Sequence, residues 1–442
     1  VTTPRSGLQD ILPLTSLQEG LLFHSLYDLD APDVYVSQHI LDIEGPLDTG
    51  LLRTAVETLL ERHATLRVGF RHDGLSTPVQ IVPRSVPAPW SELDLTEVAD
   101  DAARTARAEE RIRTDRETRF DPAAPPLLRF TLVRTGAQRY RFALTFHHVL
   151  FDGWSLSVLL NELFALYANG CDAAALPPVA PYRAFFGWLA AQNRDEARAA
   201  WSAALAGLDE PSLFAPAGQR ADAEPGLPER IDFGLSEEST AALTARARAH
   251  GLTVNTVVQG AWSLLIAQLL GRDDVAFGVT VSGRPPEIPG VENMVGLFIN
   301  TVPLRLALRP AETAADMLTR LQRTQAGLLP HQYLGLTDIQ DASGHAELFD
   351  SVLVFENYPH DAGRLTRADS GPADPGAVRV VAQRTTDHSH YPLTLVAVPG
   401  PALRFRLDHR PDVFDHAAAK TLGERLVRVL EGLLAVPDRP VG

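Results

Sequence analysis

Tyr140-Arg141-Phe142-Ala143-Leu144-Thr145-Phe146-His147-His148-Val149-Leu150-Phe151-Asp152-Gly153 reads as a strand running into a turn that carries polar chemistry. Alternation puts Tyr140, Phe142, Leu144, Phe146 and His148 on one face and turns His147 to the other. Ser155 then predicts a helix cap, with Leu156, Leu159, Leu160, Leu163, Phe164 and Tyr167 forming an apolar face to about Ala168. Residues 403–416 repeat the pattern without gaps: Phe142 matches Phe405, Leu144 matches Leu407, Phe151 matches Phe414 and Asp152 matches Asp415. The following helices agree too, Leu159 with Leu422 and Leu163 with Leu426. Two related lobes of mixed α and β layers are therefore expected. His147 and His148 fall opposite Arg410 and Pro411, so this reading offers one reactive site for two lobes.

Outward from that segment, helix periodicity predicts helices over 51–62, 101–119 and 254–270, and apolar alternation predicts strands over 66–70, 127–133, 230–234 and 275–281. Ser236 predicts a further helix cap. Residues 1–175 are read as an N-terminal lobe and 227–442 as a C-terminal lobe. Between them, Pro-rich breaks around one helical stretch at 182–205 mark 176–226 as the connection. A chain of 442 residues suits two large lobes at ~150 residues per domain.

Composition removes several classes of function. The formal charge is −15, from 55 acidic and 40 basic residues with no basic run, which disfavours nucleic acid and anionic membranes. Lys420 is the one lysine and lies in Ala419-Lys420-Thr421, so there is no Gly-Lys-Ser/Thr phosphate loop. One cysteine, Cys171, excludes internal disulfides and multi-cysteine zinc sites. The helix expected at 254–270 carries Asn255, Gln259, Ser263 and Gln268 and reads as buried rather than membrane-spanning. With no charged-then-apolar leader at Val1, a cytoplasmic location is expected, and the ends read as those of a piece of a longer polypeptide.

The chemistry concentrates at His148. Partial desolvation disfavours an imidazolium, so a histidine leaving an apolar face is suited to accept a proton or hydrogen bond. Adjacent strand histidines cannot both face one ion, and no metal site is expected. Asp152 can hold the turn or pair with an arginine. No Gly-x-Ser-x-Gly nucleophile elbow is present.

The turn His147-His148-x-x-x-Asp152-Gly153 resembles the signature of nonribosomal peptide synthetase condensation domains and, more broadly, of CoA- or carrier-dependent acyltransferases. Leu12-Pro13-Leu14-Thr15-Ser16-Leu17-Gln18-Glu19-Gly20-Leu21-Leu22-Phe23-His24 and Glu61-Arg62-His63-Ala64-Thr65-Leu66-Arg67 are similar to earlier motifs of that family. Ser282-Gly283-Arg284-Pro285, Val295-Gly296-Leu297-Phe298-Ile299-Asn300-Thr301, His331-Gln332-Tyr333 and Phe355-Glu356-Asn357-Tyr358-Pro359 are similar to later ones.

The resemblance implies an α/β fold of two chloramphenicol-acetyltransferase-like lobes in a V-shaped pseudo-dimer with a tunnel between them. It implies peptide-bond formation between a donor thioester on an upstream peptidyl carrier and an aminoacyl acceptor on a downstream one. Both would be held on phosphopantetheine arms, with an adenylation domain as neighbour and no cofactor bound by the domain itself. His148 and Gly153 are implied as catalytic, the glycine by admitting backbone close to substrate. His147, Asp152 and Arg284 are implied as support, with Asp152 paired to Arg284 across the lobes. Trp154, Ser155, Phe298, Asn300 and Asn357 are the expected tunnel wall. Arg62 and Arg67 are read as braces. The flavour of 21–27 and 355–359 resembles domains that accept a D-configured donor and an L-acceptor. A non-catalytic recruitment module and a stand-alone CoA-dependent acyltransferase remain the alternatives.

Overall fold

The computed structural model describes residues 7–27, 32–215, 227–357 and 378–433, together with 435, 437 and 440. In the first half the strands are β1 (Leu8–Pro13), β2 (Val36–Glu44), β3 (Gly69–Arg71), β4 (Val79–Pro83), β5 (Trp90–Asp94), β6 (Leu128–Gly136) and β7 (Arg139–His147). The helices there are α1 (Ser16–Tyr27), α2 (Thr49–Arg62), α3 (Asp101–Glu117), α4 (Gly153–Ala168), α5 (Arg183–Ala190) and α6 (Arg194–Leu205). The second half adds β8 (Glu229–Gly234), β9 (Asp274–Val281), β10 (Asn300–Ala307), β11 (Ser351–Phe355), β12 (Arg379–Thr386), β13 (Leu393–Val398) and β14 (Arg404–His409). Its helices are α7 (Glu237–Ala249), α8 (Val254–Leu270), α9 (Ala314–Leu328), α10 (Leu336–Ser343) and α11 (His416–Leu433).

These elements gather into two compact units. The first comprises the described residues of Val1–Ala191, Arg284–Phe298 and Tyr358–His388; the second those of Gln192–Gly283, Ile299–Asn357 and Ser389–Gly442. The division differs from the contiguous one expected. Two late segments return to the first unit, and the stretch read as a connection is divided between the units at Ala191, inside the predicted helix at 182–205.

The first unit is built on a five-stranded sheet of order β12-β2-β7-β6-β5, antiparallel except for β5 and β6. Leu144 on one face of β7 borders a small apolar cavity together with Leu59 of α2 and Leu159, Leu160 and Leu163 of α4. Ala143, Ile40 and Val133 on the other face pack with Ala108 and Ile112 of α3. The period-2 reading of β7 is thus realised, with a helix layer on each side. A small sheet of order β1-β4-β3 completes this unit.

The second unit holds a six-stranded sheet of order β10-β9-β11-β13-β14-β8, in which β11 runs parallel to both neighbours. Val257, Val258, Trp262, Leu265 and Ile266 of α8 are buried in its core. No single described helix is long and apolar enough to cross a membrane. A bent pair, α7 with α8 at 102°, passes by length and composition alone, and α8 is the core helix just described.

Local departures from the expected elements have physical causes. The strand expected at 66–70 is instead a 3-10 turn, Ala64–Arg67, followed by short β3. Buried Arg67 draws the chain into that turn by donating to the carbonyls of Leu60, Glu61 (2.8 Å) and Pro83 (3.2 Å). The helix expected at 182–205 breaks into α5 and α6, where the Asn193 side chain accepts from Glu196 N and caps the second. Asp152, not Ser155, caps α4.

Candidate active site

β7 ends at His147, and His148 begins the turn to α4. The main chain around His148 is held from three sides. Its N–H donates to the Tyr35 carbonyl at 2.9 Å. The next N–H, of Val149, donates to His147 Nδ1 at 3.0 Å. The Val149 carbonyl accepts from Gln18 Nε2 at 3.0 Å. Gln18 is itself fully buried, with its Oε1 accepting from Thr15 N (2.9 Å) and Gln80 Nε2 (3.2 Å).

The two histidines differ in what their rings do. His147 is fully buried. Because its Nδ1 accepts from Val149, the hydrogen lies on Nε2, which faces Asp33 Oδ2 and Ser25 Oγ, both at 3.3 Å. Burial would raise the Asp33 carboxyl. His147, the Ser25 hydroxyl (2.7 Å) and the Tyr35 N–H (3.0 Å) outweigh it and hold Asp33 down to about 2. The imidazole of half-buried His148 lies near Phe146, ring centroids 6.5 Å apart, and makes no hydrogen bond among the described residues; its Nδ1 is buried and unpartnered. His147 is committed to the fold, and His148 is left available.

Asp152 organises the start of α4. Its Oδ1 accepts from Ser155 N (2.8 Å) and Arg284 Nη2 (3.0 Å), and its Oδ2 from Phe298 N (3.0 Å). The expected Asp152–Arg284 pair is present, with side chains 0% and 5% exposed. Both residues belong to the first unit, because Arg284–Phe298 packs there, so the pair does not join one unit to the other as expected. The carbonyls of that segment are satisfied by the first unit's side chains. Thr65 Oγ1 donates to Val295, Ser155 Oγ to Gly296 (2.8 Å), Tyr182 Oη to Leu297 (2.6 Å) and Trp154 Nε1 to Glu292 (2.8 Å). Burial, reinforced by the Asp152 charge, pushes the Tyr182 hydroxyl well above its ordinary range.

The second motif braces α4. Glu162 Oε2 lies 2.7 Å from both Arg62 Nε and His63 Nε2. Burial would raise Glu162, but these two partners hold it below the usual carboxylate range. Arg67 also donates to Gln9 Oε1 at 2.6 Å. Both arginines brace, as read from the sequence.

The expected wall residues part company. Ser155 is fully buried, its hydroxyl bonded to Arg284 Nη2 and to both the N–H and the carbonyl of Gly296. Phe298 is 2% exposed, against Tyr182 and Phe185, with the Arg284 guanidinium 4.0 Å above its ring. Neither lines open space: a hydroxyl with three partners and an enclosed ring are core, which corrects that expectation. Trp154 and Gly153 are half-buried at the first turn of α4, and Gly153 is not among the positive-φ glycines. Asn300 and Asn357 belong to the second unit. Asn300 Nδ2 donates to the carbonyls of Gln332 and Leu334, and Asn357 is exposed. Tyr358 and Pro359, the end of the last motif, lie outside the described residues.

Sequence reasoning passed over Gln18, Ser25, Asp33 and Glu162. Gln18 lies inside the quoted first motif, and Glu162 borders the apolar face of α4, where a half-buried carboxylate signals a need for a partner. Asp33 carries no such signal.

The condensation-domain family model matches residues 8–442. A linear gramicidin synthase polypeptide of Brevibacillus parabrevis is 37% identical over 439 residues, covering 98% of this chain but only 9% of that protein. Surfactin synthase subunit 3 of Bacillus subtilis (strain 168) is 32% identical, covering 99% of this chain and 34% of that protein. The chain thus spans a small part of these relatives. Among solved structures, the condensation domain from Monacolin K polyketide synthase MokA superposes with a TM-score of 0.80 at 17% identity, covering 99% of this chain and 100% of that one. The first condensation domain of the calcium-dependent antibiotic synthetase, bound to a substrate analogue, gives 0.77 at 24% identity, with 98% of each chain covered. With the fold, the histidine turn and a match along nearly the whole length in agreement, the chain belongs to the condensation-domain family.

Proposed function

We propose that the chain forms a peptide bond between two carrier-bound substrates in the cytoplasm. An upstream peptidyl carrier presents an acyl or peptidyl thioester on its phosphopantetheine arm. A downstream carrier, loaded through an adjoining adenylation domain, presents an aminoacyl thioester. The acceptor nitrogen attacks the donor carbonyl, the new C–N bond forms, the C–S bond breaks, and the upstream thiol leaves. A thioester is already activated, so neither ATP nor an enzyme nucleophile is required. What the protein must supply is position and a partner for the proton or the developing charge.

The observation that carries this reading is the contrast between the adjacent histidines. His147 is fully engaged, while His148 has a fixed main chain and a side chain without a hydrogen-bond partner among the described residues. His148 accepts from, or orients, the attacking amine. Holding two reactants in line can supply ~7–11 kcal/mol of a barrier reduction. Gly153 leaves the first turn of α4 without a side chain beside the reacting groups.

The test is amide formation from two loaded carriers, run beside a soluble CoA donor. Product from carriers alone supports the reading. Product only from CoA donors makes the chain a stand-alone acyltransferase, and no product from either, with carriers still bound, makes it a recruitment module. The family flavour of the sequence at 21–27 and 355–359 further supports a D-configured donor. Inverting the donor α-carbon displaces the carbonyl, and ~1 Å of displacement can cost ~100-fold in rate. Competing D- and L-terminated donors should favour the D epimer; equal rates or an L preference would overturn that subtype.

A further inference from the structure

The second unit carries its own version of the strand–turn–helix that bears His148. β14 ends at His409 and α11 begins at His416. Asp415 Oδ1 accepts from Ala418 N at 2.7 Å, as Asp152 accepts from Ser155 N. In ungapped register Phe146 corresponds to His409 and Gly153 to His416. Two positions that are aromatic or without a side chain in the first copy are imidazoles in the second. A carboxylate joins them, since Glu229, the first residue of β8, is the direct cross-strand partner of His409. Glu229 Oε2 lies 3.5 Å from His416 Nδ1 and 3.9 Å from His409 Nε2, and one ligand atom from each of the three residues falls within 4.8 Å of the other two.

His409 shows what the cluster is built to take. It is fully buried, and its Nδ1 lies 2.8 Å from the Phe414 carbonyl. A carbonyl only accepts, so a hydrogen is on Nδ1, and in the neutral ring Nε2 then presents its lone pair. That atom is buried without a hydrogen-bond partner and faces a carboxylate that is also an acceptor. An imidazole that gives one N–H to a backbone carbonyl and turns its other nitrogen to a carboxylate and a second imidazole has the outer-shell arrangement of a metal ligand.

We propose that Glu229, His409 and His416 form a site for a divalent transition metal of the zinc class, with a fourth position open to water. Ligand atoms at ~2.1 Å from a tetrahedral ion stand about 3.4 Å apart, so two of the three separations are already close. The third closes by rotation of His416, which is 68% exposed. Two nitrogens and one oxygen suit Zn²⁺, Co²⁺ or Ni²⁺ rather than the all-oxygen preference of Mg²⁺ and Ca²⁺. The ion clips edge strand β8 to the end of β14 and the start of α11. No sequence pattern groups these residues, because Glu229 lies far from the two histidines and they are not at helical spacing.

The full chain, stripped of metal, is titrated with Zn²⁺ against a chromophoric chelator and with Co²⁺ followed by visible absorption. One Zn²⁺ per chain is expected, with a Co²⁺ d–d band of four- or five-coordinate type and a melting temperature that rises on Zn²⁺ addition. Glu229→Gln and His416→Ala, both exposed and so expected to fold, should each weaken binding at least tenfold and abolish the band. His250→Ala, an exposed histidine on another element, should bind as the parent does. Absence of stoichiometric binding, or equal binding by Glu229→Gln and His416→Ala, would overturn the site.

Discussion

His148 is placed by its neighbours and used by none of them. Replacing it with alanine removes an imidazole that no described group bonds, so melting should change by less than about 1 kcal/mol equivalent while amide formation collapses. His147→Ala should act in the opposite order. It orphans the buried Val149 N–H and removes one partner of Asp33, which keeps Ser25, the Tyr35 N–H and Arg119 at 3.9 Å, at ~1–3 kcal/mol for the unsatisfied donor, and activity is lost because the turn is no longer held. A stable, inactive His147→Ala would contradict this division of roles. Asp33 adds a pH signature. Its carboxyl is held at about 2 against an ordinary 3.8, so its contribution is present above the ordinary value and is lost as pH falls through the depressed one. The amount is on the order of 2 kcal/mol. Asp33→Asn should therefore flatten the acid limb of the stability profile between about pH 4 and pH 2; an unchanged slope would show that Asp33 does not carry it. The availability of His148 was legible from alternation along β7. The partners of His147 were not, because Ser25 and Asp33 are short polar residues far from it in sequence.

At the scale of elements, the N-terminus of α4 and the segment Arg284–Phe298 form one construction around Asp152. Asp152→Asn and Arg284→Ala each strand a buried charge and should lower stability by ~3–5 kcal/mol. The double variant should cost less than the sum; additive losses would mean the 3.0 Å contact carries no coupling. Gly296 tests the same packing by shape, since a Cβ there would lie 2.5 Å from the Tyr182 ring. Gly296→Ala must displace a buried aromatic and should cost ~1–3 kcal/mol, whereas Gly20→Ala, exposed in α1 with nothing within 4 Å, should stabilise by ~0.5–1 kcal/mol. Most elements were legible from periodicity, α8 to the residue. The turn at Ala64–Arg67 was not, because a buried arginine bonding to carbonyls overrides the strand propensity of its apolar neighbours. The cap of α4 was misplaced for a related reason: Asp152 and Ser155 are both competent caps, and only tertiary bonds assign Ser155 Oγ to Gly296.

For the whole molecule, the two sheets were legible as a repeat but the exchange of chain between units was not. β12 pairs with β2 along seven residue pairs, and Arg384 Nη2 donates to Glu109 at 2.8 Å, so the first unit's sheet is finished by residues from the second half of the sequence. No local pattern records which sheet a short edge strand joins. A fragment covering residues 1–175 should therefore lack a cooperative thermal transition, with β2 left as an open edge and Asp152 without Arg284. A monomeric fragment that melts cooperatively would show that the first unit does not need its late segments.

The proposed chemistry turns on His148 serving the reaction and not the fold. The deciding quantity is the single-turnover rate of amide formation by the parent chain and by His148→Ala, with both carriers fully loaded and circular dichroism melts taken on the same samples. Superimposable melts are expected, with a rate at least ~100-fold lower in the variant. Matching melts with rates within a few-fold of each other would show that His148 does not serve the reaction.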